Sequence, residues 1–199
     1  LNTNELPHSK LRGIDFLKKQ NAASCGELTS RPAKGGIKPP EGGFDAVITT
    51  EEKLPLAIFT ADCLPVFFSD TKSNVVAIAH AGWRGTHKRI SQKVISRLKG
   101  EFKINPEDLI VGLGPSLRGC CYEVTGEFLK LFPDSITKKV KRYYFDLIKD
   151  NIDQLVESGV RKYIIFDSRF CTSCSNELFF SYRREGKDCG RTISLITLG

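Results

Sequence analysis

The sequence predicts an α+β fold, a single layered domain in which mixed β-sheets are flanked by helices. Three observations carry this. Short apolar runs rich in β-branched and aromatic residues, each bounded by turn residues, read as strands buried on both faces. Two longer segments, 86–99 and 145–158, repeat apolar residues at helical spacing. The two kinds of segment are interspersed without strict alternation, which favours mixed sheets over a doubly wound parallel sheet.

In chain order, residues 9–20 carry Leu11, Ile14 and Leu17 at roughly helical spacing and predict a helix. The Pro- and Gly-rich stretch 31–43 predicts a loop within one domain, because the runs after it continue one core. Segments 54–60, 64–68 and 75–79 predict strands. In 86–99, Ile90, Val94, Ile95 and Leu98 share a face, and Gly100 supplies a stop. Segment 109–113 predicts a strand ending at Gly114-Pro115, and 127–132 a short helix stopped by Pro133. In 145–158, Leu147, Ile148, Ile152, Leu155 and Val156 share a face that Gly159 closes. Segments 163–166, 178–182 and 192–198 predict the last strands. Residues 1–199 thus read as one domain.

Composition is that of a soluble globular chain, with 40% hydrophobic and 27% charged residues. No apolar run is long enough to span a bilayer, and the N-terminal residues do not read as a signal peptide, so a cytoplasmic, membrane-free protein is expected. The formal charge of +7 is scattered. Its densest cluster, Lys138, Lys139, Lys141 and Arg142, reads as a solvated connection, and no nucleic-acid module is recognisable. The seven cysteines are an odd number that includes the adjacent Cys120 and Cys121, which favours reduced thiols over a disulfide framework.

The chemistry concentrates in residues 60–85, TADCLPVFFSDTKSNVVAIAHAGWRG. Cys63 sits where one strand-like run meets the next, and His80 ends another. Strands joined by a short turn would bring these ends to one side of a sheet. Thiolate and imidazole both suit zinc, and both suit nucleophilic catalysis as a pair. Asp62 puts a carboxylate beside Cys63. Arg84 suits bidentate contact with a phosphate. Trp83 either stacks on a base or packs in the core. Gly114-Pro115-Ser116 either offers backbone amides to an anion or simply ends a strand. Cys120 and Cys121 read as packing thiols. Cys171-Thr172-Ser173-Cys174 is a C-x-x-C, which alone suggests a redox or zinc pair, but with no second C-x-x-C and no His nearby in sequence a separate metal or redox role is not expected.

The blocks TADCLPV, HAGWRG, GPSLRGCCYEV and CT…FFSYRREGKDCGR resemble, in order, those of the laccase-domain (YfiH-like) family, over about Asp45 to Leu198. That resemblance implies an α/β/β/α layering similar to YfiH and to the cytotoxic necrotising factor toxins. It implies a zinc-dependent purine nucleoside phosphorylase acting on adenosine, inosine, guanosine or methylthioadenosine with phosphate, with adenosine deaminase activity beside it. Zinc would be held by His, Cys and His, of which Cys63 and His80 are here. The first His belongs to a Q-x-H-G block upstream of Asp45-Ala46-Val47-Ile48-Thr49, where this chain reads KKQNAASCGELTS without a His. Cys25 is the favoured third ligand, with Asn21 or the distant His8 as alternatives. The family's N-terminal S-x-R-x-G-G-V-S and N-L segments are also absent, so residues 1–44 read as divergent or truncated. Asp62, next to Cys63 in the chain, is the candidate for proton transfer, and Arg84 and Trp83 are the candidates to meet phosphate and base; the resemblance adds Ser181 and Arg183, one of which would contact substrate or stabilise the site loop. Two rivals stand beside this: a hydrolase or amidase with Cys63 as nucleophile and His80 as base, and a non-catalytic nucleoside-binding relative.

Overall fold

The computed structural model describes residues 14–18, 44–70 and 72–199. In chain order its strands and α-helices are β1 Ile14–Lys18, β2 Phe44–Thr49, β3 Leu56–Thr60, β4 Leu64–Asp70, β5 Val75–Ala81, α1 Trp83–His87, α2 Ile90–Glu101, β6 Ile110–Leu113, β7 Glu123–Val124, α3 Phe128–Leu131, β8 Ile136–Lys139, β9 Arg142–Phe145, α4 Leu147–Glu157, β10 Ile165–Asp167, α5 Tyr182–Glu185 and β11 Thr192–Ile196. Six strands form the main sheet in the order β1-β2-β5-β4-β6-β10. All its pairs are antiparallel except β6–β10. Strands β3 and β11 pair as a second sheet, and β7-β9-β8 form a third.

Side-chain alternation decides what covers each face of the main sheet. Val75, Ala77, Ala79 and Ala81 of β5 join Ala46, Ile48, Leu64, Val66 and Phe68 in a core with Val94, Ile95 and Leu98 of α2 and Leu147, Ile148 and Leu155 of α4. The intervening Val76 and Ile78, with Val47, instead meet Leu56 and Ile58 of β3. Helices therefore cover one face and the small sheet the other, so the mixed sheets and flanking helices match the expected fold class.

Three local expectations are corrected, and a fourth is given its form. The helix expected over 9–20 is a strand where it is described: Ile14–Lys18 pairs with β2 along its length. A weakly periodic segment of that length is marginal as a helix, whereas an open sheet edge satisfies its backbone. The single helix over 86–99 is two, α1 and α2, broken at Arg89 in the left-handed region (φ 59). The second runs through Gly100 to Glu101. Segment 178–182 forms no strand. Leu178 and Phe180 are exposed, and Ser181 caps α5 instead. The basic cluster 138–142 is the turn and flanks of a β8–β9 hairpin, with Val140 at φ 55 and Lys138 and Lys139 lying over the rings of Tyr143 and Tyr144. The loop read over 31–43 lies outside the described residues.

Two clusters fix the ground on which the site stands. Asn151, fully buried on α4, donates to Thr86 Oγ1 of α1 and to Leu147 O, and accepts from Ser91 Oγ of α2. Gln154 donates to Thr86 O. These bonds tie α1 to α2 and α4 and satisfy polar groups that would be costly to bury alone. Below them, Phe145 stacks on Phe132 at 4.3 Å between centroids and meets Phe128 and Tyr122 at 5.7 and 5.4 Å. Phe128 in turn meets Trp83 at 5.2 Å. Phe145 is fully buried, so Phe145→Ala is expected to destabilise the protein by about 3–5 kcal/mol. A urea titration showing a loss below about 1 kcal/mol would remove this aromatic cluster as the support of the site.

Candidate functional site

The site is assembled by strand register. In the β4–β5 pair Leu64 faces Ala81 and Pro65 faces His80. One step further, the same register sets Cys63 beside Gly82. In the β2–β5 pair Ala46 faces Ala79, so the next step sets Asp45 beside His80. The side chains agree with both. A Cβ on Gly82 would stand 2.8 Å from Cys63 Sγ and 4.0 Å from His80 Nε2. Both donor atoms therefore lie within 4.0 Å of one point, and glycine keeps that point open. His80 Nδ1 lies 3.7 Å from Asp45 Oδ1, with only 18% and 19% of the two side chains exposed. The imidazole thus has one nitrogen toward a carboxylate and the other toward the Gly82 cradle.

Asp62, with φ 81, turns the chain sharply before Cys63. Its Oδ1 accepts from Thr172 Oγ1 and its Oδ2 from Arg183 N, each at 2.6 Å. Its carbonyl accepts from Leu117 N at 2.8 Å. Both carboxylate oxygens are engaged, and three hydrogen bonds offset a backbone conformation that costs a non-glycine residue about 1–3 kcal/mol.

Two arginines border the cradle on aromatic rings. The Arg84 guanidinium lies 4.3 Å from the centre of the Trp83 ring, and the Arg183 guanidinium 5.4 Å from that of Tyr122. Arg183 also donates to Glu123 O. Between Phe128 and Arg84, Trp83 is largely a packing residue. Burial raises the Tyr122 pKa, the negative charge at Cys63 adds to this, Arg183 opposes it, Asp62 adds and Arg84 opposes. The net places Tyr122 well above the ordinary tyrosine range, so its hydroxyl is a hydrogen-bond donor at neutral pH.

Ser181 is fully buried, and its hydroxyl accepts from Arg184 N as the cap of α5. Its neighbour Arg184 is a strut, donating to the carbonyls of Thr172, Ser173 and Phe179. The backbone amides near Gly114-Pro115-Ser116 are occupied as well: Gly114, Ser116 and Leu117 donate to Pro65 O, Phe170 O and Asp62 O. That segment is a strand exit, not an anion nest. Cys120 and Cys121 are not core thiols either; Cys120 is exposed, and both lie near Cys174. Cys25, Asn21 and His8 lie outside the described residues. His87 packs edge-on against Phe132.

Sequence reasoning missed Asp45, Tyr122 and Thr172. Asp45 had a signal, a carboxylate opening an otherwise apolar strand. Tyr122 and Thr172 had none beyond their blocks, since only the fold brings them to residues 62–63.

Comparison with known proteins places the sequence in a family and the fold beside solved structures. The sequence model of the family described as multi-copper polyphenol oxidoreductase laccase matches residues 16–199. A purine nucleoside phosphorylase of Clostridium acetobutylicum is 39% identical over 157 residues, 76% of this chain and 66% of its own length. The purine nucleoside phosphorylase YlmD of Geobacillus stearothermophilus is 33% identical over 163 residues, 77% of this chain and 60% of its own. Among solved structures, the hypothetical protein YfiH of Bacillus licheniformis is similar at a TM-score of 0.76 and 32% identity, over 79% of this chain and 62% of its own. The Geobacillus YlmD structure is similar at a TM-score of 0.73, over 78% of this chain and 61% of its own. The chain thus spans less than two thirds of the length of these relatives, 66% and 60% for the two phosphorylases. No helix among the described residues is long and apolar enough to cross a membrane.

Gly82→Ala tests the cradle directly. At Gly82 φ is −73, which alanine adopts freely; the change costs helix α1 no more than about 1 kcal/mol. The new methyl group displaces Cys63 Sγ, so alkylation of Cys63, followed residue by residue by mass spectrometry, is expected to slow. Unchanged reactivity would show that the space is not shared.

The wall of the site depends on a second contact. Arg118 holds Asp167 with two bonds of 2.8 and 2.7 Å, joining the 116–122 segment to the end of β10. Burial alone would raise the Asp167 pKa, but the Arg118 bonds and the Arg169 amide outweigh it and hold it below the usual carboxylate value. A depressed folded-state pKa stabilises above the unfolded value of about 3.9, and that contribution is lost as pH falls through the folded value. Asp167→Asn is therefore expected to lower the urea midpoint by a constant amount above about pH 5, with the gap closing below about pH 4. A gap of equal size at pH 7 and pH 2.5 would contradict the assignment.

Proposed function

The chain belongs to the multi-copper polyphenol oxidoreductase laccase family, and from that premise we propose that it is a purine nucleoside phosphorylase whose centre is a zinc ion bound by Cys63 and His80. The convergence of Cys63 Sγ and His80 Nε2 on one open point carries this reading. A thiolate and an imidazole are good zinc ligands, and a carboxylate behind the imidazole is the usual companion of a metal-bound histidine, fixing its tautomer. Cys25 is the proposed third ligand. Zinc bound there would supply a Lewis acid and lower the pKa of a bound water to about 7.

The remaining work falls to the protein's own groups. In phosphorolysis a phosphate oxygen forms a bond to C1′ of the ribose while the C1′–N9 bond breaks, and the base leaves with that electron pair and takes up a proton. Arg84 and Arg183, each held on an aromatic ring, would bind and orient the phosphate and neutralise its charge. Tyr122, held in its protonated form by burial, would offer a hydrogen bond to the departing base and not its proton. Asp62, which sequence position alone marks as the proton carrier, acts in this reading as a positioning residue, because both its oxygens are engaged. Ser181 supports the site through α5 and does not touch substrate. Trp83 serves mainly as the platform of Arg84. The thiol-rich centre suits the reducing cytoplasm. Copper oxidase chemistry fits poorly, because the chain has three histidines and, among the described residues, only His80 stands at the cradle.

One observation favours a second reading. Asp45, His80 and Cys63 line up as carboxylate, base and thiol, the order that activates a cysteine nucleophile. Metal content separates the two, since a thiolate bound to zinc is unavailable as a nucleophile.

The test is release of free base from inosine, guanosine and adenosine with and without phosphate, with ammonia release from adenosine recorded alongside. Phosphate-dependent formation of ribose 1-phosphate is expected, and Cys63→Ala should lower it by at least about 100-fold, as loss of a metal ligand does. Turnover independent of phosphate in a metal-free protein would transfer the site to the cysteine hydrolase.

A further inference from the structure

A second cluster of ligating side chains lies in the two segments that supply Leu117 and Thr172 to Asp62. Among the described residues, Cys120, Cys121, Cys171 and Cys174 place four sulfur atoms within 4.8 Å of one another. We propose that these four cysteines form a second metal site, a tetrathiolate that holds one zinc ion and clamps the 116–122 segment to the 171–174 turn.

Packing does not explain the cluster. Cys120 and Cys174 are exposed, whereas cysteines that serve as small hydrophobes are buried. Disulfide bonding does not explain it either. Cys174 Sγ lies 3.3 Å from Cys121 Sγ and 3.6 Å from Cys120 Sγ, against about 2.05 Å for a bond. A tetrahedron of sulfurs around zinc at about 2.3 Å has edges of about 3.8 Å. The spacings of 3.3 and 3.6 Å lie just under that value and all four sulfurs stay within 4.8 Å, so small rotations close the site. Four thiolates at tetrahedral spacing select zinc over the oxygen-preferring ions.

The amides of Arg118, Cys174 and Ser173 and the Cys120 thiol all bond to the Cys171 sulfur, so that donors already converge on it. Four crowded thiols cannot all ionise unaided. A divalent cation removes that conflict: each thiol releases its proton to water, and each sulfur donates a lone pair to the ion.

The position gives the clamp a purpose. Segment 168–181 is almost without regular structure, and Phe170, Leu178 and Phe180 along it are exposed, so it has little core of its own. It meets the 116–122 segment at the Ser116–Cys171 bridge, where Thr172 N donates to Ser116 O at 3.0 Å. Leu117 from one segment and Thr172 from the other are two of the groups that hold Asp62. A metal crosslink beside that bridge fixes both at once.

Metal analysis of the purified, reduced protein tests this. The Cys63→Ala/His80→Ala double variant is expected to keep about one zinc per chain, and Cys171→Ser in that background to keep none. Should the variants not fold, the intact protein answers: loaded with cobalt(II), it should show the intense visible bands and near-ultraviolet sulfur-to-metal charge transfer of a tetrahedral tetrathiolate. Zinc absent from the folded double variant overturns the site, as does the lack of a tetrathiolate cobalt spectrum in the intact protein. Intact-mass detection of a disulfide among these four cysteines in the freshly reduced protein overturns it too. Because the double variant lacks the ligands of the first centre, a failure there leaves the result here readable.

Discussion

The functional end of this molecule depends on the register of three neighbouring strands. Because β5 pairs with β4 so that Leu64 faces Ala81, and with β2 so that Ala46 faces Ala79, the residues one step beyond are brought side by side without any long loop. Cys63 comes to Gly82 and Asp45 to His80. A slip of one residue in either pair would turn these groups to the wrong face. The register is in turn fixed by burial on both faces. Ala77, Ala79 and Ala81 let the helices approach closely on one side, while Val76 and Ile78 need the apolar cover of β3 on the other. The chemistry therefore inherits the stability of the core, which is where a site requiring tight geometry is best placed.

Around that rigid end the wall is of a different kind. Residues 114–124 and 168–185 carry few buried apolar side chains and are joined by polar contacts: Arg118 to Asp167, Arg184 to three carbonyls, and Thr172, Arg183 and Leu117 to Asp62. Asp62 is the junction. It stands next to Cys63 in the chain, adopts a left-handed conformation, and accepts from both segments of the wall. A carboxylate in that position couples the wall to the thiol by one peptide bond. Any movement of the wall is then felt at the cradle, and groups that stiffen the wall act on the centre through Asp62.

The strands of the core and helix α4 were legible because burial on both faces leaves an apolar run that little else explains. The convergence of Cys63 and His80 was legible for the same reason, since both sit at ends of such runs. Other features depend on partners remote in sequence. Residues 14–18 form a strand because β2 offers an edge, which no local pattern reveals. The β8–β9 hairpin turns through Val140, a residue that rarely adopts positive φ, so the usual Gly or Asn signal is missing. The apolar run 178–182 misled in the opposite sense, since Leu178, Phe180 and Tyr182 are exposed and, among the described residues, it pairs with no strand. The Ser181 hydroxyl accepts the cap bond of α5 from Arg184 N, a role that its block of sequence does not display.

The two groups of cysteines show why residue type alone does not assign a role. Cys63 has an imidazole, a carboxylate behind that imidazole and an open glycine beside it, an arrangement with room for a ligand other than protein. A catalytic zinc needs that opening. Cys120, Cys121, Cys171 and Cys174 have one another and the amides aimed at Cys171. Four sulfurs fill a tetrahedron and leave nothing for a substrate to displace, which is the design of a structural ion. The same element chemistry would then serve one fold twice: open where the strands converge and bonds change, closed where two loops must be held still.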